Sequence, residues 1–234
     1  MKTAVIIAGG RGERLKPLTD DMPKTLVEIN GKPVLGWIIK WLVHHRIKNL
    51  VIGVAYKKEM IYSYMKQNNY FGLNVKFSEH SVEGGTAEGF KKAMRFVEDD
   101  DFIAMNSDEL TNMDLSGLWN KHIESRLPVT MALTYYNARL SVAKTDNSGK
   151  ITSFEYGHKI KEVLVSIGIY VFNKSIYMDI PDCGSIENTL FVKLAREGKL
   201  GSFLLSEDEE WITINNQKEL SEASKVLRQW EEVS

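Results

Sequence analysis

The stretch that most constrains this chain is a short apolar run ending in glycines, Thr3-Ala4-Val5-Ile6-Ile7-Ala8 followed at once by Gly9-Gly10-Arg11-Gly12. So short a run neither spans a bilayer nor forms the apolar core of a leader, so it reads as a buried first strand. A glycine turn directly after such a strand is where a doubly wound sheet holds phosphates, because glycine lets backbone N–H groups approach an anion closely. Residues 49–54, 73–78 and 102–106 repeat the strand pattern, and helical patterns at 33–46, 57–67 and 86–97 fall between them. That alternation predicts an α/β, Rossmann-like fold, a mostly parallel central sheet flanked by helices in three layers.

Past residue 126 the pattern changes. Residues 128–135, 140–144, 151–156 and 163–172 read as strands with short polar turns such as Asp146-Asn147-Ser148-Gly149. Runs of strands after βα alternation predict a smaller β-rich lobe, so 1–125 and 126–234 are two halves of one folding unit, 1–234. A helix at 185–197 and a last amphipathic one, keyed by Leu220, Ala223, Val226, Leu227 and Trp230, complete the pattern. The helix at 33–46 is apolar on every side, which suits a core position or the interface of a homo-oligomer.

With 30 basic and 31 acidic residues the net charge is -1, so the chain lacks the cationic field that non-specific nucleic-acid binding needs. We expect neither a nucleic-acid nor a membrane partner, and any anion must be held by local groups. The single cysteine, Cys183, excludes an internal disulfide and fits a cytoplasmic setting.

Known phosphate loops can be tested against the first turn. No Gly-Lys-Ser/Thr closes it, so it is not a Walker A loop, and Leu15 stands where the dinucleotide fingerprint has its third glycine. The flanking residues are more telling. Arg11, Arg14 and Lys24 are spread along a loop braced by Pro17 and Pro23, which can wrap a polyphosphate with guanidinium forks and an ammonium. The bland alternative is a solvated basic loop. The full run Gly9-Gly10-x-Gly12-x-Arg14-Leu15-x-Pro17-Leu18-Thr19-x-x-x-Pro23-Lys24, followed by Gly31-Lys32-Pro33, resembles the signature of sugar-1-phosphate nucleotidyltransferases. The resemblance implies an NTP and a sugar 1-phosphate as substrates, Arg14 and Lys24 as catalytic cations, and Ala8, Gly9, Gly10, Arg11 and Gly12 on the nucleotide. Gly85-Thr86-Ala87 is similar to the segment that borders the base in this family, although Thr86 equally suits a helix cap.

The same resemblance implies a Mg²⁺ cofactor held by Asp108. Where many relatives place a second carboxylate, in Trp-x-Asp-x-Gly-Thr, this chain has Trp211-Ile212-Thr213-Ile214-Asn215-Asn216. The last three residues resemble the Val-Asn-Asn segment of bacterial N-acetylglucosamine-1-phosphate uridylyltransferases, so Asn215 becomes the expected second ligand. Glu109 and Asp114 read as solvated loop acids, with an outer-shell role at the metal as the alternative. For the sugar phosphate the resemblance implies Glu155, with Lys159 or Lys161 in place of an absent Glu-Lys-Pro turn, then Gly168 in Ser166-Ile167-Gly168, and Glu187 in Ser185-Ile186-Glu187. The second pKa of a phosphate monoester lies at roughly 6, so the nucleophile needs no general base. Two other readings stay open: a cytidylyltransferase for a non-sugar phosphate such as phosphocholine, and a non-catalytic nucleotide-binding regulator. The length of the chain leads us to expect a single-step enzyme without an appended acyltransferase domain.

Overall fold

The structure is a computed structural model that describes residues 1–137, 141–156 and 159–233, the side chains of 159–162 and 231–233 lying outside that description. The first half runs β1 (Thr3–Ile7), a short ribbon of β2 (Glu28–Ile29) and β3 (Lys32–Pro33), α1 (Val34–His44), β4 (Asn49–Val54), α2 (Lys58–Gln67), β5 (Asn74–Glu79), α3 (Gly85–Ala93), β6 (Asp101–Asn106), β7 (Glu109–Thr111) and α4 (Leu115–Ser125). The second half adds β8 (Val129–Asn137), β9 (Ser141–Thr145), β10 (Ile151–Tyr156), β11 (Lys159–Asn173), α5 (Val192–Arg196), β12 (Leu200–Leu204), β13 (Trp211–Thr213) and α6 (Gln217–Val233).

Seven of these strands form one sheet in the order β12-β8-β11-β6-β1-β4-β5. β1 pairs in parallel with both β4 and β6, β4 with β5, and β12 with β8, while β11 runs antiparallel between β6 and β8. The strands after residue 126 therefore extend the same sheet, and the β9–β10 ribbon stands outside it. The chain leaves β1 for β4 and β5 on one side and returns to β6 on the other. A crevice opens at such a reversal, beyond the carboxyl end of the first strand.

β1 is buried along its whole length, and its side chains alternate between two cores. Ala4 and Ile6 join Leu35, Ile38, Ile39 and Leu42 of α1 and Ala223 and Leu227 of α6 on one face. Val5 and Ile7 join Phe90 of α3, Phe102, Phe172 and Leu194 of α5 on the other. This is the three-layer arrangement expected, and each fully buried Leu, Ile or Phe contributes about 1.5–3 kcal/mol. The apolar helix at 33–46 owes its composition to the first of these cores.

Two features depart from the sequence reading. Residues 115–125 form α4, whose N-cap is Asp114, its side chain accepting from the Ser116 N–H at 2.9 Å, so Asp114 is a capping residue. β7 and β13 pair with Glu109 opposite Thr213, a contact between segments about a hundred residues apart that no local pattern signals.

Candidate active site

A cleft of about 410 Å³ lies at the reversal point, lined by Ile7, Ala8, Gly9, Gly10, Gly12, Glu13, Arg14, Lys24, Thr25, His80, Val82, Gly85, Thr86, Asn106, Ser107, Asp108 and Asn215. Residues from the first turn, from the ends of β5 and β6 and from the loop after β13 thus meet at one place.

The first turn is pinned on both sides. Ala8 N–H donates to Gly53 O at 2.7 Å, and Tyr56 N–H donates to Gly9 O at 3.3 Å. A Cβ on Gly9 would come within 2.4 Å of the His80 ring, so only glycine fits against that imidazole. Gly12 takes φ +66°, where a side chain is strained, and its carbonyl accepts the buried Thr19 hydroxyl at 2.8 Å. That bond folds the loop back so that Lys24 reaches the cleft.

There the cations and their partners converge. Lys24 Nζ stands 2.6 Å from Asp108 Oδ2 and 3.0 Å from Asn215 Oδ1, and Arg14 donates to the same amide oxygen at 3.4 Å. The Lys24 and Asp108 side chains are only 14% and 22% exposed. Arg11 instead sits at the rim, 3.5 Å from Glu83 and above the Tyr56 ring.

Asp108 and Asn215 are brought together by backbone pairing. Ile214 N–H donates to Asp108 O at 2.9 Å as an extension of the β7–β13 pair. Beyond it the chain enters α6 through reciprocal caps: Asn216 Oδ1 accepts from Glu219 N–H at 3.0 Å, and Glu219 Oε2 accepts from Asn215 N–H at 2.8 Å. Thr213, where the family resemblance leads one to expect a carboxylate, accepts from Asn215 Nδ2 through its hydroxyl at 2.7 Å. Two oxygens, one carboxylate and one amide, are therefore turned on the same point charge. That donor set suits Mg²⁺, which needs one or two protein oxygens and completes its octahedron with water and phosphate. Among the described residues no group of three or more His, Cys, Asp or Glu could hold a metal ion.

Glu109, expected to be a solvated loop acid, is buried. It accepts from the Trp211 indole N–H at 2.7 Å and from the Thr213 hydroxyl at 3.4 Å. Burial, and after it the charge of neighbouring Asp108, pushes its carboxyl well above the usual carboxylate range. The correction has a physical origin: the pairing of β7 with β13 covers a residue whose immediate sequence, Ser107-Asp108-Glu109, is polar.

At the start of α3, Thr86 lies in the cleft wall and donates to Glu187 Oε2 at 2.9 Å, which Ser185 also reaches at 2.7 Å. Thr86 in turn accepts from Ile186 N–H, and Ala87 N–H donates to Gly184 O, so the 184–187 segment is locked to the helix start. Sequence reasoning missed three further wall residues. Thr25 Oγ1, His80 Nε2 and Asn106 Oδ1 are buried and have no hydrogen-bond partner among the described residues. Such atoms ask for partners from a bound polar molecule. His80 Nδ1 lies 2.9 Å from Ser81 O, which can only accept, so Nδ1 carries the proton and Nε2 is an acceptor. Burial keeps that ring's pKa below its ordinary value.

The other expected sugar residues are placed differently. Gly168 is in β11 with its α-carbon against Glu109 and Asn106. Glu155 is exposed on the β9–β10 ribbon, its carboxyl accepting from Ser153 at 3.3 Å. Lys159 opens β11 by its backbone, and its side chain, like that of Lys161, lies outside the described residues.

Residues 3–229 match the nucleotidyl transferase family, and the chain belongs to it. It is 32% identical over 176 residues to D-glycero-alpha-D-manno-heptose 1-phosphate guanylyltransferase of Campylobacter jejuni, covering 75% of this chain and 78% of that one. It is 29% identical to UTP--glucose-1-phosphate uridylyltransferase of Synechocystis sp., over 90% of this chain and 59% of that longer protein. In three dimensions it is similar to HddC from Yersinia pseudotuberculosis, with TM-score 0.76, 26% identity and coverage of 97% of this chain and 100% of that chain. HddC has also been solved complexed with GMP-PN. Among the described residues no helix is long and apolar enough to cross a membrane.

Proposed function

We propose that this nucleotidyltransferase couples an NTP to a sugar 1-phosphate, releasing pyrophosphate and an NDP-sugar, with Mg²⁺ as cofactor. The observation that carries the reading is the convergence of Lys24, Arg14, Asp108 and Asn215 at the mouth of the glycine turn.

In the reaction an oxygen of the sugar phosphate attacks the α-phosphorus, a new P–O bond forms, and the bridging P–O bond to the β-phosphorus breaks. The electron pair leaves on pyrophosphate. Two mutually repelling anions must be held in line, and negative charge builds on the α-phosphate oxygens and the leaving group. Arg14 offers a planar fork to phosphate oxygens and Lys24 a compact charge. Backbone N–H groups of the first turn and the start of α3 add fixed partial charge without a counterion. Bound Mg²⁺ supplies further neutralisation at the phosphates, and Asp108 and Asn215 are the residues that would hold it. No step calls for a general base, because the phosphate nucleophile is already ionised near neutral pH. The three partnerless polar atoms of Thr25, His80 and Asn106 fit the polar edges of a nucleoside.

The relatives named above include a guanylyltransferase and a UTP-dependent uridylyltransferase, so GTP and UTP are the first nucleotides to try. Pyrophosphate release should be measured for the four common NTPs and dTTP against heptose, glucose, mannose and N-acetylhexosamine 1-phosphates, with phosphocholine as a non-sugar control. Turnover with a sugar 1-phosphate that requires Mg²⁺ supports the proposal. Turnover with phosphocholine alone, or nucleotide binding without turnover on any phosphate, overturns it.

A further inference from the structure

The order of strands divides the cleft into two flanks. The glycine turn that ends β1 is tied sideways to β4 and the residues after it, through Ala8 N–H to Gly53 O and Tyr56 N–H to Gly9 O. His80, just past the end of β5, packs its ring against Gly9 on that same flank. In the other direction from β1 come β6 and then β11. Phosphoryl transfer places the attacking and leaving oxygens roughly in line across the transferred phosphorus. An NTP held on the glycine turn therefore leaves the β6–β11 flank to the second substrate.

Asn106 stands on that second flank. It is the last residue of β6, lines the cleft two positions ahead of Asp108, and lies beside Gly168 of β11. A Cβ on Gly168 would come 3.1 Å from Asn106 Nδ2, so the glycine leaves the amide its room. The Asn106 oxygen is buried without a partner, and among the described residues neither end of the amide is hydrogen-bonded. Such a group asks for a ligand that can answer both ends. A phosphate cannot, since it brings only acceptors to Oδ1, and the cations that suit phosphate, Lys24 and Arg14, converge on Asn215 instead. A sugar can: of two neighbouring ring hydroxyls, one donates to Oδ1 and the other accepts from Nδ2.

We propose that Asn106 is a specificity-determining residue for the sugar: its amide takes a neighbouring pair of ring hydroxyls of the sugar 1-phosphate and selects sugars that carry both. This inference rests on the proposed transfer reaction. A nucleoside edge would satisfy the same amide, and the experiment separates the two.

The experiment begins with the wild-type chain, Mg²⁺, and the NTP and sugar 1-phosphate that it turns over fastest. Monodeoxy forms of that sugar 1-phosphate, one for each ring hydroxyl, are compared by kcat/KM. Two deoxy forms at neighbouring ring positions should each lose about tenfold or more, because each leaves one end of a buried amide unpaired. Asn106→Leu keeps the bulk of the side chain and removes both ends of the amide. It should raise KM for the sugar 1-phosphate by about tenfold or more and leave KM for the NTP within about twofold. It should also turn over those two deoxy forms within about twofold of the parent sugar, because the group that told them apart is gone. A merely structural role predicts equal losses for parent and deoxy sugars, and unchanged selectivity in the variant overturns the inference. If Asn106→Leu fails to fold, Asn106→Ala must show the same loss of selectivity. A rise in KM for the NTP with sugar selectivity intact assigns the amide to the nucleoside and overturns the inference. So does a wild-type chain that is sensitive to deoxygenation at no pair of neighbouring positions. In each of these cases wild-type turnover leaves the proposed function standing. Absence of wild-type turnover on every sugar 1-phosphate overturns the function itself and this role with it.

Discussion

The loop after β1 and the β9–β10 ribbon are built in opposite ways. The loop is anchored at both ends of its course: Leu15 and Thr19 are buried, the Thr19 hydroxyl closes on Gly12, and Lys24 ends on Asp108 and Asn215. Among the described residues the ribbon's strands pair only with each other, and Phe154 and Tyr156 are 66% and 71% exposed. The first region is held rigid before any ligand arrives, which is what charge stabilisation of a phosphoryl group requires, since reorganising dipoles during the reaction costs rate. The second leaves large aromatic faces in water, and none of its described residues lines the cleft. The residues proposed to carry the chemistry sit at the anchored end of the sheet, and those expected to recognise the sugar phosphate are divided between that end and an open strand pair.

The largest effects should come from the rigid region. Lys24→Ala and Arg14→Ala should each lower kcat by about two orders of magnitude or more, on the scale of losing an electrostatic stabiliser. Near-normal turnover in both would break the contrast at its stronger end. Asn215→Ala should weaken Mg²⁺ activation by about 10- to 100-fold if its oxygen is the second ligand. Full activity in that variant, with loss in Thr213→Ala, would move the ligand to Thr213, the position at which the family resemblance leads one to expect an aspartate. Gly9→Ala tests packing: its Cβ meets the His80 ring, so urea unfolding should show a loss of about 1–3 kcal/mol. Gly10→Ala is the matched control, having nothing within 4 Å, and should unfold like wild type. The smallest effect belongs to the ribbon. Glu155→Ala should change kcat/KM for the sugar phosphate by about twofold or less, the equivalent of about 0.5 kcal/mol. A large rise in KM would show that the ribbon closes over the substrate, and would sharpen the comparison into a statement about movement.

Much of the scaffold was legible because its signals are local. The apolar runs at 49–54 and 102–106 became β4 and β6 almost residue for residue, and the all-round apolar pattern at 33–46 became a core helix. α4 was missed because its one clear start signal, Asp114, reads equally well as a loop acid, and its apolar residues are few. β12 was missed because Gly201-Ser202 interrupts its short apolar run. His80 and Asn106 gave no warning either, since the feature that marks them, a buried polar atom without a partner, does not exist until the walls around it close.

The sequence by itself determined the turn after β1: the glycines, prolines and cations of residues 9–24 dictate its course through backbone freedom and ring constraint, properties each residue carries wherever it is placed. Tertiary structure alone decided what stands opposite those cations. Asp108 and Asn215 are 107 positions apart and share one ammonium only because β7 pairs with β13, and that same pairing buries Glu109 behind them. The orientation of an amide and the burial of an acid depend on neighbours that a linear reading does not contain.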